Sequence, residues 1–192
     1  DLSFDLRQAA GTAAVLASSF QFEEAEVKFM PNMPVISEGL GYGVLERDEF
    51  ILALEAGYVQ AAKGGRLHMD GSSMRVPNAH VPDPPVIFDL KGRGSVPTLM
   101  SLMDNKPFQI STKTKLGIDD VSGQAQLAVQ IETHLKDELT SRDMSYALTG
   151  TLRDLRSELL VPGHIFTAEL LQLTGTPDLI EISGAGRVSD IP

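Results

Sequence analysis

From Val121 to Glu132 the chain alternates apolar and polar residues for twelve positions, and this pattern limits its fold more than any other feature. One face of an extended chain would carry Val121, Gly123, Ala125, Leu127, Val129 and Ile131, and the other Ser122, Gln124, Gln126, Ala128, Gln130 and Glu132. A period of two places successive side chains on opposite faces, so this is a strand with one wet face. Phe50–Tyr58 repeats the pattern, with Phe50, Leu52, Leu54, Ala56 and Tyr58 expected on one face, as do Tyr146–Leu152 and the run Ile180, Ile182, Gly184, Gly186, Val188. Less regular strands are expected at Phe20–Met30, Arg66–Val76, Val86–Arg93, Phe108–Ile118 and Gly163–Leu173.

So many strands in succession leave little room for crossover helices, and the sheet should be antiparallel. The expected fold is mainly β, a long antiparallel meander curled into an open groove or half-barrel, with one short helix and a single module over 1–192. Glycines fall inside or beside the strands, as in Gly39-Leu-Gly-Tyr-Gly43, where they mark bulges and bends of a strongly curved sheet. Prolines gather between strands, at Pro31, Pro34, Pro77, Pro82, Pro84 and Pro85.

The period breaks at Ser95–Asp104. A Ser95 cap and an early proline precede Leu99, Met100, Leu102 and Met103 at helical spacing, which reads as a short amphipathic helix over 96–104 that caps or gates the sheet. Leu152–Leu160 fits either a turn of helix or an irregular strand, since Leu152, Leu155 and Leu159 have helical spacing.

A formal net charge of −10 opposes binding to nucleic acid, whose partners supply Lys and Arg to displace counterions. It also repels an anionic bilayer surface, so contact with a lipid should be through acyl chains. Without cysteine there is no thiolate or disulfide chemistry. No apolar run approaches the roughly 20 residues of a spanning helix, and the start Asp1-Leu-Ser-Phe-Asp5 suggests a soluble module cut from a longer protein.

Chemistry has little to stand on in the sequence. There is no G-x-S-x-G elbow, P-loop, H-E-x-x-H pair or dinucleotide fingerprint. His68, His80, His134 and His164 are too far apart to form a local metal motif, and Asp119-Asp120 reads as a solvated turn. No cofactor, metal or catalytic residue is assigned. A carbohydrate-binding domain would show aromatic platforms, yet there is no Trp, and Tyr42, Tyr58 and Tyr146 are the three tyrosines.

Three segments in succession resemble the AsmA-like family of large bacterial envelope proteins, of the YhdP and TamB type. They are Phe29-Met-Pro-Asn-Met-Pro34 leading into Gly39–Gly43, Val86-Ile-Phe-Asp-Leu-Lys-Gly92 leading into Pro97–Met103, and Val121-Ser-Gly-Gln-Ala-Gln-Leu127. Where that family tends to have proline before leucine after the third segment, this chain has His134-Leu135. The resemblance implies a groove module in the periplasmic portion of an inner-membrane-anchored protein of a Gram-negative bacterium. It implies a non-catalytic role in phospholipid transport between inner and outer membranes, hence in outer-membrane biogenesis. Expected partners are phospholipid acyl chains and adjacent modules of the same chain. The residues expected to form the apolar wall are Phe50, Leu52, Leu54, Leu127, Val129, Ile131, Tyr146, Leu148, Ile180 and Ile182. A structural or adhesive β-sandwich repeat would bury the same residues and leave no cavity.

Overall fold

The computed structural model describes residues 2–7, 15–28, 34–105, 121–136, 143–158, 160–161, 163–177 and 179–190. Phe29–Met33, the expected strand Phe108–Ile118, the Asp119-Asp120 turn and Leu159 lie outside the described residues. The strands are β1 (Leu2–Arg7), β2 (Val15–Val27), β3 (Ile36–Glu46), β4 (Glu49–Gln60), β5 (Arg66–His68), β6 (Ser72–Val76), β7 (Pro85–Ser95), β8 (Val121–His134), β9 (Ser145–Ser157), β10 (His164–Gly175), β11 (Ile180–Gly184) and β12 (Arg187–Asp190). The helix, α1 (Val96–Met103), follows β7 directly.

All twelve strands among the described residues belong to one sheet, in sequence order from β1 to β11. Every pairing is antiparallel. They fill ten positions, because β5 and β6 share the place between β4 and β7 while β11 and β12 both pair with β10. The fold is thus mainly β, an open antiparallel meander that does not close into a barrel. At about 4.8 Å between strands, its two edges lie about 43 Å apart measured along the sheet.

Residues directly opposite in an antiparallel ladder share a face. The chain of partners Leu52, Met74, Phe88, Ile131, Tyr146 therefore traces one inner face across β4, β6, β7, β8 and β9. On β8 the alternation is complete. Val121, Ala125, Leu127 and Ile131 are buried while Ser122, Gln124, Gln126, Ala128, Gln130 and Glu132 are exposed.

Elsewhere bulges reset the period. Phe50, Leu52 and Leu54 face inward as expected, but Ala56 and Tyr58 face outward, because the β3–β4 register slips between Leu40↔Ala56 and Gly41↔Leu54. One extra residue inverts every side chain beyond it. Val59 takes the inward place at 2% exposure. Tyr58 instead donates to Glu38 at 3.2 Å and lies under Arg66, whose guanidinium carbon is 3.9 Å from the ring centroid. The same device accounts for Leu152–Leu155, which is strand rather than helix. Asp154 at φ 51° adds a residue to β9, so two inward leucines fall three apart.

Two further expectations need correction. Arg66–Val76 is two strands, interrupted at Met69–Gly71, where Gly71 has φ +78° and Met69 turns into the core. The run from Ile180 to Val188 is likewise split, at Ala185-Gly186.

Helix α1 forms where the sequence places it. Ser95 caps it by accepting from the Thr98 amide at 3.2 Å, and Pro97 occupies the first turn, where no amide donor is needed. Thr98 and Ser95 both donate to the Gly64 carbonyl, at 2.6 and 3.2 Å, and the Lys63 amide donates to Ser101 at 3.0 Å. These bonds fasten the helix to the loop between β4 and β5. Its apolar residues then split between two clusters: Val96 and Leu99 pack with Leu152 and Leu171, and Leu102 packs with Val59, Leu67 and Met69. A third cluster, of Val76, Val86, Phe88 and Ile131, contains no residue of the helix. Burial on one face of a single sheet comes from curl and from α1.

Candidate functional site

Curvature has a source in the residues. At the inward position 150, a Cβ would lie 2.5 Å from Leu127 Cδ2 and 2.6 Å from the Gln126 carbonyl oxygen. Glycine removes that obstacle, so the Leu127 side chain folds across Gly150 and the neighbouring strands bend inward. On β2 and β3 the same relation pairs Phe22 with Gly41 and Phe20 with Gly43, an aromatic ring covering each glycine.

The resulting inner face is apolar from β2 to β11. All ten residues expected to form its wall stand on it. Leu54 and Leu127 are 7% exposed, Leu148 4% and Ile131 2%, whereas Phe50, Leu52, Val129 and Tyr146 are half-buried. Ile180 and Ile182 occupy the same face, opposite Gly175 and Leu173, but are 44% and 55% exposed. They form the unfinished margin of the face.

Two hollows open along it. One, of about 110 Å³, lies under α1 between Leu99, Met103, Leu90, Val129, Ile131 and Tyr146. The other, of about 130 Å³, lies between Phe22, Ile36, Leu52, Leu54, Phe88 and Leu90. Leu90 lines both, so the hollows are neighbours along the face. Each is smaller than the roughly 300–1,000 Å³ of a small-molecule pocket, and a long guest must extend along the groove or spread its walls.

Among the described residues, no buried side-chain nitrogen or oxygen lacks a hydrogen-bond partner. Thr133, for example, donates to the Asp143 carbonyl at 2.9 Å, and Ser72 accepts from the Lys91 amide at 2.9 Å. The inner face therefore offers a guest apolar contact rather than a polar anchor. Among the same residues no group of three or more His, Asp or Glu side chains is placed to hold a metal ion. His68, His80 and His134 are exposed, and His164 is half-buried.

Several wall residues were not singled out from the sequence. Phe22 and Met74 escaped because their strands alternate poorly and the bulges conceal their phase. Phe88 and Leu90 carried a signal that could have been used, since Val86, Phe88 and Leu90 alternate as Leu127, Val129 and Ile131 do, and the two strands pair residue for residue.

Fold and lining together define an open, single-sheet antiparallel module with one apolar inner face. No protein-family model, curated protein or solved structure matches the chain.

Proposed function

We propose that the chain is a lipid-binding groove module of an envelope-spanning protein, carrying phospholipid between inner and outer membranes without catalysing a reaction. In this reading it belongs to the periplasmic portion of an inner-membrane-anchored protein of the AsmA-like kind. The observation that carries the proposal is that one face of one continuous sheet is apolar across β4, β8, β9 and β11, while on β8, β9 and β11 the opposite face is mainly polar.

The physics suits an acyl chain. About 38 Å of apolar face, from β2 to β11, exceeds the half-thickness of a roughly 30 Å hydrocarbon core, so a chain laid across the strands fits within it. Each buried methylene contributes about 0.8 kcal/mol, and a dozen in contact make release into water slow. Transfer then proceeds from one apolar surface to the next. The exposed Ile180 and Ile182 at the β11 edge give such a surface a place to continue into an adjacent module of the same chain.

The small hollows favour a second reading, a structural module whose groove is filled by its own side chains. Native mass spectrometry with lipid extraction separates the two. The chain, expressed in a bacterial envelope, should carry about one phospholipid per molecule and take up added lipid. An apo mass that stays unchanged after lipid is added would leave the structural module as the answer.

A further inference from the structure

The outer face carries a trough of about 670 Å³ over β7, β8 and β9, which the groove does not use. Alternation sets Lys91, Arg93, Gln126, Thr149, Thr151 and Arg153 around it. Ala128 is the small residue of its floor, opposite Lys91 on one side and Thr149 on the other. The volume falls within the range of small-molecule sites, unlike either hollow of the inner face.

Its charge opposes that of the whole chain. The formal net charge is −10, yet three cationic side chains line the trough against one carboxylate, Asp70. Asp70 is already engaged, accepting from the Gly57 amide at 3.3 Å and facing Arg93 at 3.6 Å. Lys91 and Arg153 have no carboxylate within ion-pair distance among the described residues. Three basic residues elsewhere are paired: Arg75 lies 3.3 Å from Glu49, Lys136 lies 2.7 Å from Asp143 and Arg156 lies 3.1 Å from Glu158. In so acidic a chain, cations left unpaired around a hollow are places where an anion is stabilised.

Spacing lets these cations act together. Lys91 and Arg93 are two residues apart on β7, about 7 Å, and Arg153, opposite Gln124, stands two strands across and two residues along from Arg93, about 12 Å away. Long side chains from those positions reach a common point near Gln126. Gln126, Thr149 and Thr151 stand beside it, and amides and hydroxyls both donate and accept, which is what a hydroxyl-bearing ligand requires.

We propose that this trough binds a soluble phosphorylated sugar or polyol, its phosphate held by Lys91, Arg93 and Arg153 and its hydroxyls by Gln126, Thr149 and Thr151. The site stands on the face opposite the groove, so it does not depend on the lipid reading. Charge, not aromatic stacking, supplies the recognition.

Amide chemical shifts of the full chain titrated with glucose 6-phosphate test it, with inorganic phosphate and glucose as the two half-ligands. The expected result is saturating shifts at Gln126 and Thr151, tightest for glucose 6-phosphate, weaker for phosphate and absent for glucose. Lys91→Gln and Arg153→Gln, both on the exposed face, should each weaken binding by roughly threefold, and Arg75→Gln should not. About 0.3 M salt should weaken it further. The absence of saturating shifts overturns the proposal, as does an equal loss in Arg75→Gln. Phosphate binding as tightly as the sugar phosphate removes the role of the hydroxyl-binding groups and overturns it too. Vesicles of phosphatidylglycerol retained through Lys91 and Arg153, without shifts from glucose 6-phosphate, would replace the soluble ligand by a membrane surface.

Discussion

Strands β8 and β11 begin from the same pattern and end in different surroundings. Both alternate, and both place isoleucines on the inner face, yet Ile131 is 2% exposed and Ile182 is 55% exposed. Ile131 has Phe88 on one side and Tyr146 on the other, within a cluster that includes Val76 and Val86. Ile182 has Leu173 on one side, and no described strand on the other. Alternation therefore chooses a face, and lateral neighbours decide whether that face is dry. In the centre of the sheet the apolar face is core, whereas at the β11 margin it is exposed surface.

The contrast should be largest for truncation of a side chain. Leu148→Ala removes a 4% exposed leucine between β8 and β10 and should cost about 2–5 kcal/mol, whereas Ile182→Ala should stay within about 0.5 kcal/mol. Urea unfolding of the two variants measures this, and equal losses would mean that the margin is as tightly packed as the centre.

A smaller effect is expected where curvature is made. Gly150→Ala sets a methyl group against Leu127 and the Gln126 carbonyl and should destabilise by about 1–3 kcal/mol. A variant as stable as the parent would show that the bend does not need glycine there. Smaller again is the helix cap. Ser95→Ala removes the acceptor of the Thr98 amide and one donor to Gly64, for a loss of about 1 kcal/mol by thermal unfolding. A loss confined to the hydrogen exchange of α1, with melting unchanged, would show that the helix is not coupled to the sheet.

Sequence reading succeeded wherever the period ran unbroken. The β8 faces, the Ser95 cap, the helix and the antiparallel order all follow from local rules that tertiary contacts did not override. Reading failed where one residue changed the phase. Tyr58 was expected beside Leu54 and faces the other way, because the slip opposite Leu40 and Gly41 is a property of two strands together. The spacing of Leu152 and Leu155 imitated a helix for the same reason, since a bulge at Asp154 turns a period of two into a step of three. The exposure of Ile180 and Ile182 was likewise illegible, because it depends on how many strands follow rather than on their own residues. The outer trough was missed for a related reason. Arg153 is far from Lys91 and Arg93 in the chain, and the pairing of β7, β8 and β9 brings it to the same face.

Adjacent residues on β8 give the sharpest test of the groove. A photo-crosslinking amino acid placed at Val129 faces the inner hollow, and one placed at Gln130 faces solvent. In a bacterial envelope, irradiation should attach phospholipid to the chain substituted at position 129 and leave position 130 free of it. Equal labelling at the two positions, or lipid at neither, would contradict a lipid-binding inner face.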